Sequence, residues 1–183
     1  FGYPYRVFNS REDEVLNLAV YSRFPLSNMK EYYFPNSYNK VLQIDLQYEG
    51  RTIRLFNMHL QTTGMTSAFQ GNNLLHTYQL NARERNRQAQ LLAEAVASSP
   101  YPVILCGDLN DTPISYAYRK LTGQLEDCFL ETGNGWGGTY QPANNLFRID
   151  YTFCSPELKT LAYHLYSNCW SDHRIQYTIV TSL

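Results

Sequence analysis

The chain has 183 residues, 44% of them hydrophobic and 17% charged, with a formal net charge of −1. That length fits one domain with a core of its own. The near-neutral charge argues against a strong non-specific nucleic-acid binder, which needs a basic excess to meet phosphate. Val15–Ser22 reads as a strand ending in a turn at Arg23-Phe24-Pro25. Lys40–Gln47 alternates, with Leu42, Ile44 and Leu46 on one side and Gln43, Asp45 and Gln47 on the other. Glu49-Gly50 then turns the chain into a partner strand over Thr52–Leu60, a hairpin. Thr62–Leu80 is polar and punctuated by Gly64, Gly71 and Asn72-Asn73, and is expected to be a long loop, a candidate specificity lid. Asn81 is expected to cap a helix running to about Ala97, with Glu84 completing a capping box and Ala89, Leu92 and Val96 forming the buried stripe.

Val103–Gly107 is a short unbroken apolar run, the pattern of a strand covered on both faces. Pro113 and Ser115 open a short helix that Gly123 can end. Ile149–Phe153 and Ile175–Val180 are the last two strands. Strands dominate with helices between them, which predicts an α/β or α+β sandwich. Sixteen tyrosines mostly serve to pack sheets. The four cysteines, Cys106, Cys128, Cys154 and Cys169, contain no CxxC pair, so zinc is disfavoured. Cys106 and Cys154 read as buried thiols, with a disulfide left open. No stretch approaches the roughly 18 apolar residues of a membrane span, and no protein partner is signalled. The chain opens at Phe1 without a leader-like apolar segment and reads as a piece of a longer protein.

Four segments place acidic, amide or imidazole groups where a strand ends or a loop begins: Asn57–Leu60, Gly107–Asn110, Arg148–Tyr151 and Ser171–His173. Asp108 and Asn110, two apart, face the same side if the backbone stays extended; the same residues also suit a simple turn. Asp108 could orient or deprotonate a water, and Asn110 could donate to an anionic oxygen. Gly107 permits close backbone approach. His173 lies near the last strand, where Asp150 could bond it and fix its tautomer, and His59 adds a second imidazole. Two imidazoles, three carboxylates and an amide on one site suit phosphoryl transfer, which needs positioning and charge neutralisation.

The ordered series NMHL, GDLND, RIDYTF and SDH, with LAVYSRFPL upstream, resembles the C-terminal motifs of the endonuclease/exonuclease/phosphatase superfamily from about Val15 to Val180. That resemblance implies a fold and a reaction. The fold is a four-layer α-β-β-α sandwich of two mixed, mainly antiparallel sheets flanked by helices, here partial and lacking N-terminal strands, with residues 1–183 as its C-terminal portion. The reaction is divalent-metal-dependent hydrolysis of a phosphoester by in-line water attack, as in a phosphodiesterase, phosphatase or nuclease. Position by position, His59 would contact the scissile phosphate and Asp108 would activate water. Asn110 would hydrogen-bond a phosphoryl oxygen, and His173, oriented by Asp150, would stabilise charge on phosphorus. Asp172, with Asp108 and Asn110, would serve magnesium or manganese.

The family's upstream asparagine and metal-binding glutamate have no counterpart in Phe1–Glu14, and neither Glu12 nor Glu14 is assigned that part. The alternative is therefore a non-catalytic binding module on the same fold. The substrate stays open between a small molecule, a lipid headgroup and nucleic acid. Leu146-Phe147, standing where repair nucleases of the family often carry tryptophan, tilts it away from DNA repair.

Several other patterns are set aside. The Gly133–Gly138 run matches GxGxxG but follows no strand, and reads as a loop beside the cleft ending at Thr139. A serine- or cysteine-nucleophile hydrolase is the third reading, disfavoured by the absence of GxSxG and separable by its insensitivity to chelator, and Ser27–Lys30 matches SxxK without its companions. Arg83, Arg85 and Arg87 read as a solvated helix face. His76 and His164 read as structural.

Overall fold

The computed structural model describes residues 2–9, 16–35, 37–64 and 74–183. Among the described residues there are ten strands: β1 (Tyr5–Phe8), β2 (Ala19–Ser22), β3 (Leu26–Tyr33), β4 (Lys40–Tyr48), β5 (Arg51–His59), β6 (Val103–Asp108), β7 (Glu126–Asp127), β8 (Asp150–Cys154), β9 (Leu158–Tyr166) and β10 (Ile175–Ser182). The same described residues hold three α-helices: α1 (Leu74–Ala97), α2 (Tyr116–Thr122) and α3 (Cys128–Thr132). A mixed six-stranded sheet runs in the order β3-β4-β5-β6-β8-β7, and two-stranded ribbons β1-β2 and β10-β9 stand apart from it.

Local chemistry explains the sheet's centre. Glu49 and Gly50 both adopt positive φ, 47° and 78°, and Tyr48 pairs with Arg51. This is the two-residue turn whose twist matches a hairpin, and it fixes the register of β4 on β5. β5 and β6 are parallel; a parallel pair needs a long crossover, which the segment containing α1 supplies.

Register then sorts side chains by face, because directly paired residues point the same way. Val41, Phe56, Met58, Val103, Leu105, Tyr151 and Phe153 form one face and pack on Ala89, Leu92, Ala93 and Val96 of α1 and on Ala117, Tyr118 and Leu121 of α2. On the other face, Leu42 and Ile44 meet Leu18 and the apolar side of β1-β2. Ile53, Ile104 and Cys154 meet Leu158, Tyr163, Leu165 and Val180 of β9-β10. The alternation read in Lys40–Gln47 therefore does not separate core from solvent. Both sides are covered, and the polar side is buried with partners: Asp45, 0% exposed, takes paired bonds from Arg54 Nε and Nη2 at 2.7 and 3.0 Å and one from Asn28 Nδ2 at 3.0 Å. The mixed α/β fold with a large, mainly antiparallel sheet is the one expected. Among the described residues no helix is long and apolar enough to cross a membrane.

Some elements differ from the sequence-based expectation. α1 begins at Leu74, so residues 74–80 are helix rather than loop, and 65–73 of the expected lid lie outside the described residues. Asn81 is not a cap. It sits inside α1, where its Oδ1 accepts from Gln61 Nε2 and its Nδ2 donates to Thr63 O, while Glu84 accepts from Gln88. The first turns of α1 are mostly exposed and bury nothing before Arg85; with no apolar stripe there, polarity masked the helix. The strand expected from Val15 is formed over Ala19–Ser22, and Val15 and the Glu12–Glu14 stretch lie outside the described residues. β3, carrying Ser27–Lys30, and β9 were not anticipated. β3 is broken by a register shift between Ser27 and Lys30, with Asn28 at φ 50°, which blurs its period. Ser115 caps α2 by accepting from Tyr118 N, and Gly123 follows its last turn, as expected.

Candidate active site

The sheet's register builds the site. His59 ends β5, Asp108 ends β6 and Asp150 begins β8; His59 pairs with Asp108, and Asp108 pairs with Asp150. The three side chains are consecutive neighbours across three strands and emerge on one face at one end of the sheet. Close approach of β5 and β6 there depends on Gly107. Its φ is 127°, and a Cβ would lie 2.0 Å from the Met58 carbonyl oxygen. The neighbour that needs the glycine is thus a protein backbone.

Asn110 reaches the cluster by a route other than an extended strand. Its φ is 57°, left-handed, so the chain folds back after Leu109. Its backbone N–H donates to Asp108 Oδ1 at 2.7 Å, and its Nδ2 donates to Asp108 Oδ2 at 2.8 Å and to Leu60 O at 3.0 Å. Both amide hydrogens are engaged within the protein, so Oδ1 is the atom presented to a ligand.

The two imidazoles are held differently. His59 Nδ1 lies 2.8 Å from Asn39 Oδ1. Asn39 Nδ2 donates to Ser37 Oγ and Gln61 Oε1, which leaves Oδ1 as acceptor and puts the His59 proton on Nδ1. Burial, and then the charge of His173, hold His59 below its ordinary value, so it is neutral. Its Nε2 lone pair faces Asp108 Oδ2 across 3.6 Å. His173 Nδ1 lies 2.7 Å from Asp150 Oδ2, and that hydrogen bond raises it to about 9, against the opposing pull of burial. His173 is therefore an imidazolium at neutral pH, with Nε2–H left to donate. Burial, and then the Asp150 charge, raise Asp108 to about 7. A neutral imidazole, a charged one and a carboxyl poised near neutrality share one site.

His59, Asp108, Asn110, Asp150 and His173 are thus gathered together. Ligand atoms of Asp108, Asp150 and His173 lie within 4.8 Å of one another, close enough to hold a cation. Asp172 is outside this group: it is exposed, and its backbone carbonyl accepts from Gln141 N.

Supporting residues hold the cluster in place. Thr139 is fully buried, and its Oγ1 accepts from the N–H groups of Ile149 and Asp150 at 3.0 and 3.1 Å; this is what the end of the Gly133–Gly138 run contributes. Tyr140 forms an isolated bridge with His173 and lays its ring edge-on to the imidazole at 5.4 Å. Arg85 is 0% exposed. Its Nε and Nη2 donate to Asp111 Oδ2 at 2.8 and 2.6 Å and its Nη1 to Gln61 O at 2.8 Å, clamping α1 to the loop after Asn110. The sequence carried a signal for it: of Arg83, Arg85 and Arg87, only Arg85 falls four residues before Ala89 and seven before Leu92, on the buried stripe. Asn39 lies 20 positions from His59, and no spacing rule points to it.

The model of the Endonuclease/Exonuclease/phosphatase family matches residues 2–173. No curated protein matches the sequence. Among solved structures, the human Nocturnin catalytic domain with bound sulfate anion superposes with a TM-score of 0.72 at 17% identity, covering 100% of this chain and 73% of that one. The D. rerio TDP2 complex with single strand DNA product gives 0.74 at 16%, over 97% and 77%. The Bacteroides thetaiotaomicron mannosyl-6-phosphatase gives 0.68 at 17%, over 90% and 71%. At such identities the likeness establishes the fold alone.

Proposed function

Since the chain belongs to the endonuclease/exonuclease/phosphatase family, a generally hydrolytic family, we propose that it hydrolyses a phosphoester bond by in-line attack of water at the cluster just described. The observation that carries the reading is the gap between His59 Nε2 and Asp108 Oδ2. When Asp108 is ionised these are two acceptors at 3.6 Å, and a water beside them that donates to both relieves their repulsion. Asp108 is placed to orient that water and, before a cation binds, is raised by burial and the Asp150 charge to about 7, where it can take a proton. His173 offers a positively charged N–H to a phosphoryl oxygen, and Asp150 keeps it charged and oriented. Asn110 holds Asp108 in place and presents Oδ1. The donor set fits a hard divalent cation, magnesium or manganese, because Asp108 and Asp150 bring oxygen ligands whose mutual repulsion a cation would relieve. Asp108, Asp150 and Asn110 Oδ1 would hold it, with exposed Asp172 at the rim; bound there, it would neutralise charge on the phosphoryl oxygens.

The sulfate held by the Nocturnin catalytic domain is a tetrahedral oxyanion, as a phosphate group is, which favours the same kind of ligand here. Net charge of −1, and Leu146-Phe147 with both side chains exposed beside Arg148, favour a small phosphoester, a lipid headgroup or an RNA end over duplex DNA. The test is a panel of phosphomonoesters, cyclic nucleotides, sphingomyelin and abasic DNA with magnesium, run on the wild type, Asp108→Ala and His173→Ala. Turnover that both substitutions abolish is expected. Undiminished turnover in either variant would remove the site assignment, and insensitivity to chelator would remove the cation.

A further inference from the structure

Away from the site, two thiols lie against each other. Cys154, the last residue of β8, is 1% exposed, and Cys128, the first residue of α3, is fully buried. Their Sγ atoms are 3.3 Å apart. The fold brings them together for a definite reason. β7 pairs Glu126 with Cys154 and Asp127 with Phe153, and the chain then turns into α3, leaving the Cys128 side chain over Cys154. Asp127 anchors the junction, accepting from Arg148 Nη1 at 2.6 Å and Tyr118 Oη at 2.8 Å. Leu158 and Tyr163 close over the pair. A disulfide needs the sulfurs about 1.3 Å nearer. Cys106, opposite Thr152, is a diagonal neighbour of Cys154 on the same sheet face but lines a cavity of about 370 Å³, and Cys169 is exposed.

We propose that Cys128 and Cys154 are an oxidation site, an intramolecular disulfide formed when the chain folds in the presence of a small-molecule disulfide, which ties together the two ends of the segment carrying Thr139, Arg148 and Asp150. With oxidised glutathione, the Cys128 thiolate attacks one glutathione sulfur, the glutathione S–S bond breaks, and one glutathione leaves as its thiolate. The Cys154 thiolate then attacks Cys128 Sγ and displaces the second. Two protein thiols are oxidised, one glutathione disulfide is reduced, and the two protons end on the two glutathiones released. Both thiols are buried once the chain has folded, so the exchange with glutathione takes place in the folding chain, and the folded arrangement selects Cys154 as the partner of Cys128 by bringing the sulfurs to 3.3 Å. The bridge spans 26 positions, and closing a loop of that size restricts the unfolded chain.

The test needs no catalytic activity. Reduced, denatured protein is refolded in a glutathione redox buffer or in excess dithiothreitol, and free thiols are then counted in denaturant. The expected result is loss of two of the four thiols in glutathione alone, with a Cys128–Cys154 linked peptide on mapping. The oxidised form should melt about 5 °C higher or more. Protease nicking between Gly133 and Phe147 should leave its two fragments joined on a non-reducing gel. Cys128→Ser should lose the link and the melting shift together; if that variant fails to fold, the wild-type peptide map alone decides. Four free thiols at equilibrium, or a link through Cys106 or Cys169, would overturn the proposal.

Discussion

Replacing Arg85 with Met should destabilise the protein out of proportion to the size of the change. Met keeps most of the side-chain volume but removes a fully buried guanidinium and three hydrogen bonds, two to Asp111 Oδ2 and one to Gln61 O. What is left is a carboxylate only 14% exposed without its counter-charge, and a carbonyl without its donor. Breaking a buried pair by removing one partner costs about 3–5 kcal/mol, mostly because the other charge is stranded. In a domain of this length that lowers the melting temperature by roughly 6–20 °C. The source of the loss is separable. If the stranded charge dominates, Arg85→Met combined with Asp111→Asn recovers about half of it or more, since neither partner then carries charge. Calorimetry on the wild type, both single variants and the double variant measures this directly. A single-variant loss under about 1 kcal/mol, or a double variant no more stable than Arg85→Met, would refute the reasoning.

Gly107→Ala should cost about 3 kcal/mol or more, seen as a lower urea midpoint, because its Cβ would collide with the Met58 carbonyl and φ is left-handed; a near-wild-type midpoint would contradict the close contact. Burial pushes Asp45 up, but Arg54 and Asn28 outweigh it and hold its carboxyl below 3.8. Its folded value is therefore below its unfolded one, so its stabilisation is present above pH 3.8 and lost as pH falls further; Asp45→Asn should flatten that part of the pH profile of the urea midpoint. Asp150→Asn should lower the His173 titration, followed by proton NMR, from about 9, because the hydrogen bond to Asp150 is the largest influence that raises it. Because the folded value lies above the unfolded one, the Asp150–His173 pair stabilises fully below pH 6.5 and loses that contribution as pH rises through about 9. An unmoved His173 titration would dissociate it from Asp150.

Reading side-chain identity at strand ends was enough to nominate His59, Asp108 and Asp150, because the registers that align them follow from neighbouring strands with plain patterns. The β4–β5 hairpin was legible because Glu49-Gly50 can take positive φ and apolar runs flank it. Asn110 was nominated for a different geometric reason from the one that operates: a left-handed residue, not strand alternation, turns it onto Asp108. Arg85 looked like a solvated charge because its residue type outweighed its place on the Ala89–Leu92 stripe and its partner Asp111 is 26 positions away. The early part of α1 was hidden because its stability comes from continuity with the packed half after Arg85 rather than from an apolar face of its own. β9 alternates buried Leu158 and Thr160 with exposed Lys159 and Leu161, then shifts register opposite Ile179 and Val180, so that Tyr163 is buried out of phase and no clean period results.

A crystal grown with manganese and vanadate, with the metal located by anomalous scattering, tests the site most directly, because it requires no turnover and no choice of substrate. The expected map has one tetrahedral oxyanion in contact with His59 and His173, and manganese on the carboxylates of Asp108 and Asp150. An oxyanion bound away from these residues, or manganese bound with neither carboxylate, would contradict the account.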